Sequence, residues 1–115
     1  MDYSQLSDFE INKRVGSALG KELMPDDCQD LGLSGFSEVM LTNGDFKDYC
    51  NDPADAWQII RGNRIGIIPA PCPGEWKAAH RDVGEDGTPR HFTRHINPLR
   101  AAMIVFLMMQ ESQNA

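Results

Sequence analysis

The hydrophobic pattern is most extreme near the C-terminal end, where Ala101 to Met109 runs nine residues without a polar side chain. The run opens on Asn97-Pro98, a capping residue followed by a proline suited to the first helical turn. This predicts a helix that is apolar on every face. A surface helix carries a stripe and not a girdle, so this one must be enclosed. Burying Leu99, Met103, Ile104, Phe106, Leu107 and Met108 contributes roughly 1.5–3 kcal/mol each, an upper figure before entropy. Net domain stability is only about 5–15 kcal/mol. Either the rest of the chain surrounds the helix, or a second copy covers part of it in a symmetric homodimer. A bilayer span needs roughly 20 apolar residues, about twice this run, so no membrane partner is expected.

Two earlier segments also read as helices. Ser7 followed by Glu10 is a capping box, with Leu6 as a staple residue. Ile11, Val15, Ala18 and Leu19 form the apolar face behind it, and Gly20 is placed to end the helix. Gly16 costs that helix roughly 1 kcal/mol relative to Ala, so tertiary contacts must hold it. Farther on, Asp52-Pro53 opens a second helix with a cap and a first-turn proline. Ala56, Ile59 and Ile60 make its stripe, with Trp57 beside it. Gly62 is expected to close it after about two turns.

Strand patterns fill the space between the second and third helices. Arg64 to Ile68 is rich in β-branched residues and stops at Pro69. Trp76, Ala78 and His80 alternate with Lys77, Ala79 and Arg81. Asp86-Gly87 marks a turn, and His91 to Ile96 returns. Residues 21–51 are the least regular. Pro25, Asp26, Asp27, Asp30, Gly32 and Gly35 read as loop, followed by a short strand at Val39 to Leu41 and a hairpin signal at Asn43-Gly44 before Phe46. The expected fold class is α+β, in a single domain over residues 1–115, with residues 21–51 partly loop. A small three-stranded antiparallel meander with a loose second loop packs with about three helices, and the C-terminal helix is central.

Charge sharpens this picture. The chain carries 11 Lys+Arg against 17 Asp+Glu, a net charge of −6. Residues 1–60 hold four cations and twelve acids, a balance of −8, while residues 61–115 hold seven cations and five acids, a balance of +2. The halves can attract each other within one fold, or the acidic half can steer a basic partner. On the second view Asp48, Tyr49, Asp52, Asp55 and Trp57 are the partner-binding residues, with the two aromatics as anchors. On the more ordinary view, Tyr49 and Trp57 pack against the sheet. The basic segment 77–100 offers an alternative. Lys77, Arg81, Arg90, Arg94 and Arg100, interleaved with Trp76 and Phe92, fit a sheet that stacks single-stranded bases. Asp82, Glu85, Asp86 and the acidic total argue against it; Trp76 and Phe92 then belong to the core.

Neither a cofactor nor a metal is called for. His91 and His95 are four apart, but along a strand that spacing separates them by roughly 13 Å. No Cys-x-x-Cys knuckle joins Cys72 or His80 to them. No Gly-x-Ser-x-Gly elbow, phosphate loop or dinucleotide fingerprint is present, so no catalytic residue is assigned and no enzyme is expected. Met1-Asp2-Tyr3-Ser4 lacks the basic start and apolar run of an export signal. Cys28, Cys50 and Cys72 are accordingly expected to be reduced. Met103, Met108 and Met109 can offer an adaptable surface, but read first as core filling.

Three segments carry a resemblance: Met1 to Asn12, Asp48 to Trp57, and Asn97 to Leu107. Together they resemble the phage NinX family, small proteins of the nin region of lambdoid bacteriophages. Residues 70–95 match it least. The resemblance implies a phage or prophage protein acting in the bacterial host cytoplasm, and it implies no catalytic residue. The leading expectation is a non-enzymatic accessory protein that contacts a host or phage protein through its acidic half. Nucleic-acid association through residues 77–100 is the alternative.

Overall fold

The computed structural model describes residues 2–29 and 36–113. Asp30, Gly32 and Gly35, read above as loop residues, lie outside the described residues. Among those described, the order is α1 (Asp8–Ala18), β1 (Val39–Met40), β2 (Phe46–Lys47), α2 (Pro53–Gly62), β3 (Ile65–Pro69), β4 (Trp76–His80), β5 (Phe92–His95) and α3 (Pro98–Gln113). The fold is α+β, with two antiparallel sheets: a β1-β2 hairpin and a meander in the order β3-β4-β5.

The caps form as their sequences dictate. Ser7 Oγ accepts from the Glu10 N–H, and Glu10 Oε1 accepts from the Ser7 N–H, both at 3.1 Å. Asp52 caps α2 by accepting from the Ala54 N–H at 2.9 Å. Asn97 Oδ1 accepts from the N–H groups of Leu99 (3.0 Å) and Arg100 (3.2 Å), starting α3. These bonds satisfy donors that helix starts would otherwise leave open.

α3 packs across all three strands of the meander and against α1 and α2. Arg100 through Leu107 and Met109 are buried. The chain therefore encloses its own apolar helix, and the burial argument for a second copy is already answered within one copy. Met103 and Met109 fill core, and Met108 packs at its margin.

Local differences from the sequence pattern have plain causes. In α1 the buried positions are Phe9, Ile11, Asn12, Val15 and Gly16, while Ala18 and Leu19 are exposed. They share the angle of Ile11 and Val15 but sit in the final turn, where the chain reverses at Gly20 with φ 77°. Gly16 lets Leu23 come close: a Cβ there would meet Leu23 Cδ2 at 3.1 Å. α2 runs nearly three turns, Asn63 caps it, and Arg64 takes the left-handed conformation (φ 58°) before β3 begins. The β4–β5 loop is tied instead of loose. Gly84 N–H donates to Thr88 O at 2.8 Å, and Arg90 N–H donates to Asp82 O at 3.0 Å.

Candidate functional site

The meander has two faces because side chains alternate along each strand. Ile65 and Ile67 lie opposite His80 and Ala78, toward α3. The other face presents Gly66 and Ile68 from β3, Lys77 and Ala79 from β4, and Phe92 and Arg94 from β5. Ile68 is registered with Lys77, Lys77 with Arg94, and Ala79 with Phe92. Phe92 is 43% exposed and Ile68 58% exposed. The Lys77 Nζ lies 4.9 Å from the centre of the Phe92 ring, a cation–π contact.

Phe92 is thus not a core residue, since its register puts it on the face away from α3. Trp76 points to the α3 side but ends its strand opposite Pro69 and His95, and it stays 37% exposed. Trp57 is not enclosed against the sheet either; it is 57% exposed on α2.

The cations extend this outer face. Arg81 follows Lys77 and Ala79 at the next outward position. With Trp57, Arg61, Arg64 and Gly66 it lines a groove of about 530 Å³ where α2 meets β3. Among the described residues, the side chains of Arg61, Arg64, Arg81, Arg90 and Arg94 have no hydrogen-bond or ion-pair partner. Arg100 is different and leaves the basic face. It is buried, pairs with Asp8 at 2.7 Å, and donates to the carbonyls of Leu6 (2.7 Å) and Tyr3 (3.3 Å).

The acidic segment is mostly occupied with its own structure. Asp48 accepts from Asn12 Nδ2 (2.8 Å) and Ser37 Oγ (2.7 Å), and its N–H donates to Asp55 Oδ2 (2.9 Å). Asp52 caps α2, and Asp55 lies 3.6 Å from Lys47. Tyr49 is 3% exposed, so its ring fills core and offers a partner no surface. Burial, then the Asp55 charge, pushes its hydroxyl pKa up. Of the five residues assigned above to a partner, Asp52 and Trp57 are exposed, Asp48 and Asp55 are half-buried, and Tyr49 is buried.

Cys50 sits beneath this segment with no exposed surface. Its N–H donates to Asn12 Oδ1 at 3.0 Å, and its carbonyl accepts from Asn97 Nδ2 at 2.8 Å. Burial, then the Asp8 charge, pushes the thiol pKa far up, so it stays protonated and a poor nucleophile. His80 lies 3.5 Å from Asp82, and His95 Nδ1 accepts from the Asn97 N–H at 2.9 Å. Among the described residues, no three of His, Cys, Asp or Glu are grouped to hold a metal ion.

The family model for Bacteriophage P22, NinX matches residues 2–110. The chain belongs to this NinX family. No curated protein matches its sequence. The three segments that carry the NinX resemblance meet in the structure through side-chain hydrogen bonds. Asn51 Nδ2 lies 3.2 Å from Asp8 Oδ2, and Asn97 Nδ2 donates to Asn51 Oδ1 at 2.9 Å. NinX membership makes the chain a phage accessory protein of uncharacterised activity, and among its described residues no helix is long and apolar enough to cross a membrane.

Sequence reasoning missed Asn12 and Arg100 as buried polar centres, and Arg61 and Arg64 as neighbours of Arg81. Arg100 carried one signal, its place inside the first turn of an all-apolar helix. Nothing local marked Arg61 and Arg64, because the sheet brings them beside Arg81 across the β3–β4 register.

Proposed function

We propose that this phage accessory protein works in the host cytoplasm by macromolecular contact and not by catalysis, with the outer face of the meander as its contact surface for single-stranded nucleic acid. One observation carries the reading. Lys77 and Arg94 flank the exposed Phe92 ring, and the outward row continues to Arg81. Among the described residues Arg81 and Arg94 have no hydrogen-bond or ion-pair partner, whereas Asp48, Asp52 and Asp55 are engaged in local hydrogen bonds. Cations neutralise phosphates, and an aromatic ring exposed at the surface stacks a base whatever its identity. The chain's net charge of −6 weakens such binding, and each phosphate contact made by a cation makes it fall as salt rises.

The test is fluorescence anisotropy with a labelled oligothymidylate at low salt. Binding that weakens as salt rises, and that is lost in Lys77→Glu/Arg94→Glu, is the expected result. A flat titration of the wild-type chain at low salt overturns the reading.

A second reading keeps the acidic half as the surface for a host or phage protein. Glu38, Asp48, Asp52 and Asp55 line a hollow of about 240 Å³ beside Phe46, which is 58% exposed. Charge reversal at Asp52 and Glu38 that leaves capture of that protein unchanged removes it.

A further inference from the structure

The groove between α2 and β3 holds more positive charge than an internal phosphodiester needs. Arg61, Arg64 and Arg81 all line it, and among the described residues no carboxylate does. An arginine keeps its proton at any accessible pH. One internal phosphate of a strand carries a single negative charge, while a terminal phosphomonoester carries about −1.5 to −2 at neutral pH and offers three strong acceptor oxygens. Guanidinium forks match such a group in geometry as well as charge.

Two further features fit a nucleotide and not a bare anion. Trp57 stands at the groove with 57% of its surface exposed, a free ring for a base. Gly66 and Ala79 are registered partners beneath it, so the floor is flat and low. A Cβ at Gly66 would meet only Ala79 O, at 3.9 Å, so the protein itself leaves room there.

Arg64 gives an independent sign. It is the one described non-glycine residue with positive φ, at 58°. Glycine adopts that conformation freely and arginine does not. Arg64 follows Asn63, the C-cap of α2, so the left-handed corner that ends the helix places an arginine at the groove where glycine is the usual residue.

We infer that this groove is a site for a nucleotide with a terminal phosphate, at the end of a single strand or free. The inference rests on the nucleic-acid reading of the outer sheet face and names an end-binding subsite within it. Trp57 stacks the base, and Arg61, Arg64 and Arg81 hold the phosphate. Lys77, Phe92 and Arg94 continue along the strand.

The test uses ten-residue oligothymidylates phosphorylated at the 5′ end, at the 3′ end or at neither, together with thymidine 5′-monophosphate. In Trp76→Phe chain, Trp57 is the remaining tryptophan and reports the groove. A phosphorylated strand should bind at least ten-fold tighter than the hydroxyl-ended strand, and the mononucleotide should quench Trp57. Arg64→Gly and Gly66→Val should each abolish that preference, bringing the phosphorylated strand down to the affinity of the hydroxyl-ended strand for the same variant. Neither should lower the thermal midpoint, since one relieves a strained corner and the other adds a β-branched residue to a strand with room for it.

Equal binding of all strands with no quenching overturns the groove and leaves the sheet-face reading standing. Quenching by the mononucleotide without binding of any strand keeps the groove, as a free-nucleotide site, and overturns the sheet-face reading. No response to any probe overturns both.

Discussion

Arg100 Nη1 donates to Asp8 Oδ1 at 2.7 Å, joining the first turn of α3 to the first turn of α1 across most of the chain. The arginine side chain is 7% exposed and the aspartate 33%. Two carbonyls, of Leu6 and Tyr3, complete most of the guanidinium's demand, and Nε is left without a partner. Removing one member of a buried pair strands the other, at a cost of about 3–5 kcal/mol. Asp8→Asn should approach that loss, because Arg100 stays buried. Arg100→Met should cost less, because Asp8 can rehydrate. Urea denaturation of both variants and of the double variant gives the coupling, expected to exceed about 1 kcal/mol.

Asn12 is fully buried and serves three partners, two of them acceptors and one a donor. Its Nδ2 donates to Asp48 Oδ1 and Ser37 O, and its Oδ1 accepts from the Cys50 N–H. Asn12→Ala leaves the Cys50 donor unmet and should destabilise by about 2–4 kcal/mol, one or two orphaned groups. Asn12→Asp is nearly isosteric but sets a second carboxyl against Asp48. Like charge and burial raise the folded pKa of the new group above its unfolded value. A raised folded pKa gives stability that is present at low pH and lost as pH climbs. The deficit of this variant should therefore widen from pH 4 to pH 7 in thermal melts, while that of Asn12→Ala stays nearly constant.

The wild-type chain should show a stability dome whose flanks belong to named residues. Burial, then the Arg100 charge, lowers the His95 pKa below 6.5. The native state therefore favours neutral imidazole, and stability falls as pH drops below that value. On the alkaline side the folded Cys50 pKa is raised above its ordinary 9.0, so stability is present below pH 9 and erodes above it. Tyr3 follows: burial, then its hydrogen bond to Glu111, raises it from 10.0 to about 12, so its contribution is lost between those values. Melting temperature against pH should fall less steeply just above pH 9 in Cys50→Ala, and less steeply between pH 10 and 12 in Tyr3→Phe.

What the sequence disclosed followed the range of the forces involved. Caps are decided within four residues, so Ser7, Asp52 and Asn97 were readable. The apolar girdle of α3 demanded enclosure by composition alone. Alternation named the strands and their number. It could not say which face α3 would cover, so Phe92 and Trp76 were open to either reading. Tyr49 looked like an anchor because an aromatic among acids has no local sign of depth; the bonds of Asn12 to Asp48 and Cys50, from another helix, set it inside. The groove was hidden for the same reason, since Arg61 and Arg81 meet only after β3 pairs with β4.

Charge and stacking on the outer sheet face should separate in one experiment. Each cation that neutralises a phosphate releases counterions, and for a single strand the slope of log K against log salt is about −0.7 per phosphate. Lys77→Ala and Arg94→Ala should each reduce the magnitude of that slope by about one contact's share. Phe92→Ala removes a ring that is 43% exposed, so folding stability should change little. Loss of a stacked base costs about 1–3 kcal/mol, so affinity should fall roughly five- to more than a hundred-fold at every salt concentration. The slope should stay parallel to wild type. The cation–π contact of Lys77 with Phe92 adds a cross-check. If the two act as a unit, the double variant loses less affinity than the single losses combined; if they act apart, the losses add. A Phe92→Ala chain that binds as tightly as wild type would show that no base stacks there and that the face is only an electrostatic surface.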